Sequence, residues 1–187
     1  DFVEFIDDEG RPYVHEGRVL CDPGHAVEVV GLTLKFLQAA DRTETLDGDQ
    51  RRRMTAWRAL LPKMLLHVYR KARNPIGGIY KSIDLLSGEP YNPDMPWWNL
   101  PEALRAAMFA CHVSEDDAVK QGCLDLVSEA GQAFLGMYVR PDVHMMAYQT
   151  LDRNGKPVRT VPATPDLDPG YHTGLSIIDF LDLLRLE

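Results

Sequence analysis

The 187-residue sequence has no apolar run long enough to span a bilayer and no stretch that reads as a secretory signal. Cysteine is scarce: Cys21, Cys111 and Cys123 are odd in number, far apart, and form no CxxC pair. That argues against a disulfide framework or a zinc ribbon and reads as three reduced thiols, so a cytoplasmic location is expected. Positive charge is thin as well, with 20 Lys and Arg against 28 Asp and Glu and a net charge of −8. The one basic run, Arg51 to Arg53, opens an amphipathic stretch and reads as a solvated face. Neither a nucleic-acid partner nor a membrane partner is expected. No GxGxxG or GxxxxGK[ST] run is present to cradle a nucleotide.

What is present is ordinary for a globular chain: 45% apolar and 26% charged residues, with no low-complexity linker. Residues 1–187 therefore read as one domain with a sizeable core. The chain opens on Asp1, as a fragment or a processed chain would.

Helical periodicity marks five segments. The first runs from about His25 to Asp41. The second, from about Asp49 to Arg73, carries Met54, Trp57, Leu61, Met64 and Val68 on one stripe, and Pro62 is expected to kink or break it. A third follows "PWWN" with Leu104, Met108 and Cys111, and a fourth spans about Glu115 to Tyr138. The last runs from about Thr173 to Leu186. Between them lie three hairpin signals: "FVEFIDDEGRPYV" around Gly10, an alternating stretch at Ile79 to Ile83, and "MMAYQTLDRNGKPVRTV" with its Asn154-Gly155 turn. The alternation predicts helix pairs stacked side by side, with small hairpins collected at one end.

Chemistry-bearing residues concentrate at three loop-to-helix junctions. "DPGHAVE" needs Asp22, Pro23 and Gly24 to start a helix, but not His25 and Glu28, which three-residue spacing puts on one face. "PWWNLPEAL" sets Trp97, Trp98 and Glu102 around the start of the third helix. "DPGYHTGL" puts Tyr171 and His172 just before the last one. Singly, a histidine at a helix start is ordinarily a cap and paired tryptophans are ordinarily core. In a helical toroid such junctions share a face, so the three can meet. Two near-neutral imidazoles with no metal pair at ligand spacing then fit proton abstraction beside a carbonyl. An aromatic face suits the C–H side of a sugar. His15, His67, His112 and His144 read as surface or satisfied histidines.

"PGHAVE" resembles the P-G-H-x-x-E signature of the N-acylglucosamine 2-epimerase family. "WWNLPEAL" resembles its W-W-x-x-x-E-A segment, and "GYHTGLSIIDFLDLL" its closing F-H-x-P-R segment and last helix. The three occur in the family's order. The resemblance implies an all-α (α/α)6 barrel, of which residues 1–187 would be the C-terminal half. It also implies a free reducing sugar as substrate and two histidines that move the C2 proton through an enediolate, with no metal or redox cofactor. Matched by position, His25 and His172 would be the acid–base pair with Glu28 beside the first, and Trp98 and Glu102 would hold the sugar. The sequence departs from the pattern at Gly31, where the family carries a bulky aromatic, and at Gly174 and Leu175 in place of Pro-Arg.

The resulting expectation is a sugar 2-epimerase or aldose–ketose isomerase. A noncatalytic carbohydrate-binding or scaffolding relative, and a glycosidase using two carboxylates, stay open beside it. Half a ring would need an N-terminal helical half, attached or supplied by a partner, and a homodimer is an alternative cover. Val27, Val30 and Leu34 are expected among the uncovered apolar positions.

Overall fold

The computed structural model describes residues 1–42, 45–143, 145–158 and 170–185. Five α-helices carry it: α1 (Pro23–Ala40), α2 (Gly48–Ala72), α3 (Asn99–Val113), α4 (Asp117–Ala133) and α5 (Ser176–Leu184). Side-chain caps fix three of the starts. Asp22 accepts from the Gly24 and His25 amides ahead of α1, Asp47 forms a capping box with Gln50 at α2, and Asp116 accepts from Ala118 and Val119 at α4. Pro62 neither breaks nor ends α2. A proline forfeits one hydrogen bond there, and its ring is buried, lining a cleft shared with Val113 and Val119.

Two π-helical turns were not expected. Phe134–Tyr138 finishes the segment begun by α4, and Tyr171–Leu175 precedes α5. The short strands are antiparallel throughout. β1 (Leu20–Cys21), β2 (Ser82–Asp84) and β3 (Pro90–Asn92) form one sheet, β4 (Met95–Pro96) pairs with β7 (Thr150–Leu151), and β5 (Val139–Arg140) pairs with β6 (Met145–Ala147). The Gly10 turn closes between Asp7 and Arg11, and the Asn154-Gly155 turn between Asp152 and Lys156. Residues 145–147 thus pair with β5 rather than across the Asn154-Gly155 turn. His144, the 159–161 end of that predicted hairpin and residue 186 of the last predicted helix lie outside the described residues.

The register of the helices decides where the site sits. Gly24 lies against Trp98 and Asn99, and Gly31 against Arg105 and Ala106, so α1 and α3 run parallel and in step. His172 meets Glu102 and Asp179 meets Arg105, so α5 runs the same way. α2 and α4 return the chain antiparallel to these, Gly122 resting on Leu66 and Glu129 on Arg73. Three inner helices therefore bring their N-termini together, with β1 leading into α1 and β4 leading towards α3. α3 is central: it packs on all four other helices, and every residue from Asn99 to Cys111 is buried.

One expectation about α1 is corrected. Val27, Val30 and Leu34 are core residues, because that stripe faces α2 and α3. The uncovered apolar side chains of α1 are Val29, Leu32 and Phe36, the last 67% exposed. On α5 the matching exposed set is Ile178, Leu181 and Leu184, preceded by Leu175.

Candidate active site

The three helix starts converge. Their common element is Trp98, which Gly24 lets approach the first turn of α1: a methyl group at Gly24 would come within 2.5 Å of Trp98 Cη2. The His25 ring lies 5.6 Å from the Trp98 ring and the His172 ring 4.8 Å from it, centroid to centroid. Both imidazoles thus touch one indole. Trp97, buried beneath, meets His172 edge-on at 6.0 Å, and Tyr171 does so at 4.8 Å.

Each imidazole has one nitrogen tied to a carboxylate. His25 Nδ1 lies 2.8 Å from Glu4 Oε1 and 3.8 Å from Asp22 Oδ2. Asp22 is paired in turn with Lys81, whose ammonium stands 5.8 Å from the Trp98 ring. His172 Nδ1 lies 3.0 Å from Glu102 Oε1. A carboxylate accepts from an Nδ1–H and leaves Nε2 with its lone pair, the form a proton-transfer base requires.

Glu102 is wholly buried. Its Oε1 also accepts from Ser176 Oγ at 3.1 Å, and its Oε2 from the Arg105 guanidinium. The residue expected to hold a sugar therefore faces His172, Ser176 and Arg105. Glu28, expected to serve His25, accepts at 3.1 Å from the Tyr171 hydroxyl. Burial, and after it the Glu28 carboxylate, raises the Tyr171 hydroxyl above the usual phenol range, so it stays a donor well into alkaline pH.

Ligand atoms of Glu28, Glu102 and His172 lie within 4.8 Å of one another, the donor spacing a metal ion would need. Both Glu102 oxygens and His172 Nδ1 are already committed to hydrogen bonds, however, and the Arg105 guanidinium sits where a cation would be repelled.

The five residues singled out in the sequence, His25, Glu28, Trp98, Glu102 and His172, stand close together in the structure. Sequence reasoning missed Glu4, Lys81 and Arg105. Glu4 arrives because its backbone N–H donates to the Leu20 carbonyl, a pairing with no local signal. Arg105 follows Glu102 by three residues on a helix, and that spacing could have found it.

No protein-family model matches the sequence, and no curated protein matches it. Solved structures do. A sugar epimerase from a ruminal bacterium superposes with a TM-score of 0.70 at 16% identity, over 97% of this chain and 41% of that one. A D-mannose isomerase gives 0.66 at 18% identity, over 92% and 38%. The cellobiose 2-epimerase of Bacillus thermoamylovorans B4167 gives 0.66 at 15%, over 87% and 37%. The fold is half of an (α/α)6 barrel. This half-barrel spans about two fifths of the length of the structures it matches.

Proposed function

We propose that the protein is a sugar 2-epimerase or aldose–ketose isomerase acting on a free reducing sugar. The observation that carries the reading is the pair of imidazoles on one indole, each with Nδ1 against a carboxylate. Its structural neighbours, sugar epimerases and a D-mannose isomerase, lend support.

In this reading the opened sugar lies against the Trp98 face. One histidine Nε2 takes the proton from C2 as the carbonyl oxygen gains negative charge, giving an enediolate. The other histidine, protonated, returns a proton to the opposite face of C2, which epimerises it. Protonation at C1 instead, with the O2 hydroxyl proton passing to O1, gives the ketose. Glu4 and Glu102 hold the two rings, and Tyr171 with Glu28 supplies hydroxyl contacts. Two imidazoles near neutral pH suit this exchange without a redox partner. The site is completed by the remaining helical half of the barrel, as further chain or as a partner, seated on the open apolar faces of α1 and α5.

The test is C2 proton exchange in deuterated water with a panel of free sugars. Wash-in of solvent deuterium at C2, reduced about 10²- to 10⁴-fold by His172→Asn with sugar binding retained, is the expected result. Release of a new reducing end would instead make the protein a glycosidase. Binding without exchange would make it a noncatalytic relative.

A further inference from the structure

We infer that Arg105 is a positioning residue for His172, acting through Glu102, and that Gly31 exists in this chain to make room for it. As a statement about catalysis this rests on the acid–base reading above; as a statement about the His172 ring it does not.

Four charged groups run in alternating sign from the surface to the imidazole. Lys35 Nζ donates to both oxygens of Asp179 at 2.7 and 2.8 Å, Asp179 lies 3.8 Å from Arg105 Nη1, and Arg105 Nη2 donates to Glu102 Oε2. Glu102 Oε1 then meets His172 Nδ1. Arg105 is 1% exposed and Glu102 not at all. An unpaired charge at that depth is strongly disfavoured, so each group constrains the other.

The division of the carboxylate is what gives the arrangement its effect. Arg105 takes one oxygen, while Ser176 and His172 share the other. A carboxylate held at both oxygens cannot rotate about its terminal bond, so its remaining lone pair points one way. The imidazole that donates to it is fixed in plane and in tautomer. This is how an outer group orients an inner one at many histidine sites.

Gly31 explains why the guanidinium fits. An added Cβ there would sit 3.3 Å from Arg105 Nε and 3.4 Å from Ala106 Cα. A large aromatic at that position would occupy the space of the guanidinium. Arg105 Nε is buried without a hydrogen-bond partner among the described residues, pressed towards the glycine. Gly31 and Arg105 are two parts of one packing solution.

The test uses the full-length protein and nitrogen-15 spectra of the His172 ring at a pH where it is neutral. In the wild type, Nδ1 should be the protonated nitrogen and Nε2 the bare one. In Arg105→Met, the Glu102 carboxylate loses the donor that fixes Oε2 and is free to turn about its terminal bond. The His172 signals should then show a mixed or reversed tautomer. Turnover should fall about 10- to 100-fold with KM within about twofold, and Arg105→Lys should recover most of both. Unchanged His172 signals and unchanged kcat in a folded Met variant would overturn the inference. Should methionine prevent folding, Arg105→Gln replaces it, and a wild-type ring protonated mainly on Nε2 overturns the inference without any variant. A wild type with no C2 exchange, alongside a Met variant that shows the tautomer change, would refute the sugar chemistry and leave the positioning role standing.

Discussion

Gly24→Ala sets two effects of opposite sign against each other. Helix propensity alone favours alanine over glycine by about 1 kcal/mol. The packing says otherwise. The new methyl would overlap the Asn99 side-chain amide outright and come within 2.5 Å of Trp98 Cη2. Asn99 is fully buried and donates to the Ile79 carbonyl at 3.4 Å, so it has no open space to swing into. Overpacking of this kind costs about 1–3 kcal/mol, and its upper end applies where backbone must move. The clash therefore wins, with a net destabilisation of about 2 kcal/mol. For a chain of this size that lowers Tm by about 4–8 °C. The repair available to the protein is to part the first turns of α1 and α3, which moves Trp98 away from His25. Stability and C2 exchange should consequently fall together. Gly174→Ala is the control, because nothing lies within 4 Å of a Cβ there although the residue is two positions from His172; it should be neutral or slightly stabilising. Scanning calorimetry of both variants decides the matter. A Gly24→Ala protein as stable as the wild type would show that α1 and α3 do not meet as described.

Alkaline pH gives a second expectation. Burial, with Asp22 next at Cys21, pushes the Cys21 and Cys123 thiols up to about 12. Below pH 9 both stay protonated, folded or unfolded. Between 9 and 12 only the unfolded chain releases the protons, so stability falls as pH rises, by about 1.4 kcal/mol per thiol at pH 10. Urea titrations at pH 8 and pH 10 should show this slope, and Cys123→Val should make it shallower. On the surface, the 187-residue chain studied alone should self-associate through Leu32, Phe36 and the exposed face of α5. Sedimentation of Leu32→Ser with Phe36→Ser should show a shift towards monomer with little change in Tm, whereas a monomeric wild type at high concentration would refute it.

The helices were legible because burial in this fold is mostly a helix against its neighbours. The 3.6-residue stripe therefore survives in α2 and α4, and Asp22 marks the start of α1. α1 was harder. It carries apolar residues at Val27, Val29, Val30, Leu32, Leu34, Phe36 and Leu37, nearly all round, so periodicity found the helix but not the buried side. The π turns were illegible for a related reason: one extra residue per turn barely disturbs an apolar pattern five residues long. Of the site, the residues standing at helix starts could be read. The groups arriving from elsewhere in the chain, Glu4 and Lys81, could not.

The two histidines are served in different ways, and the difference bears on how the site can be perturbed. His172 leans on a buried carboxylate held by Ser176 and Arg105, inside the helical layers, where loss of one group strands another in low dielectric. His25 leans on Glu4, which comes from the extended segment ahead of β1 and is held there by a backbone bond to Leu20. Its ring is the more exposed of the two, 44% against 27%. Changes in the segment that carries Glu4 can therefore alter the surroundings of the His25 ring while the fold is intact. Changes around His172 must pass through the core. The packing around His172 also bears on Gly31: beside Arg105, the glycine leaves room for a buried guanidinium that is bonded to Glu102.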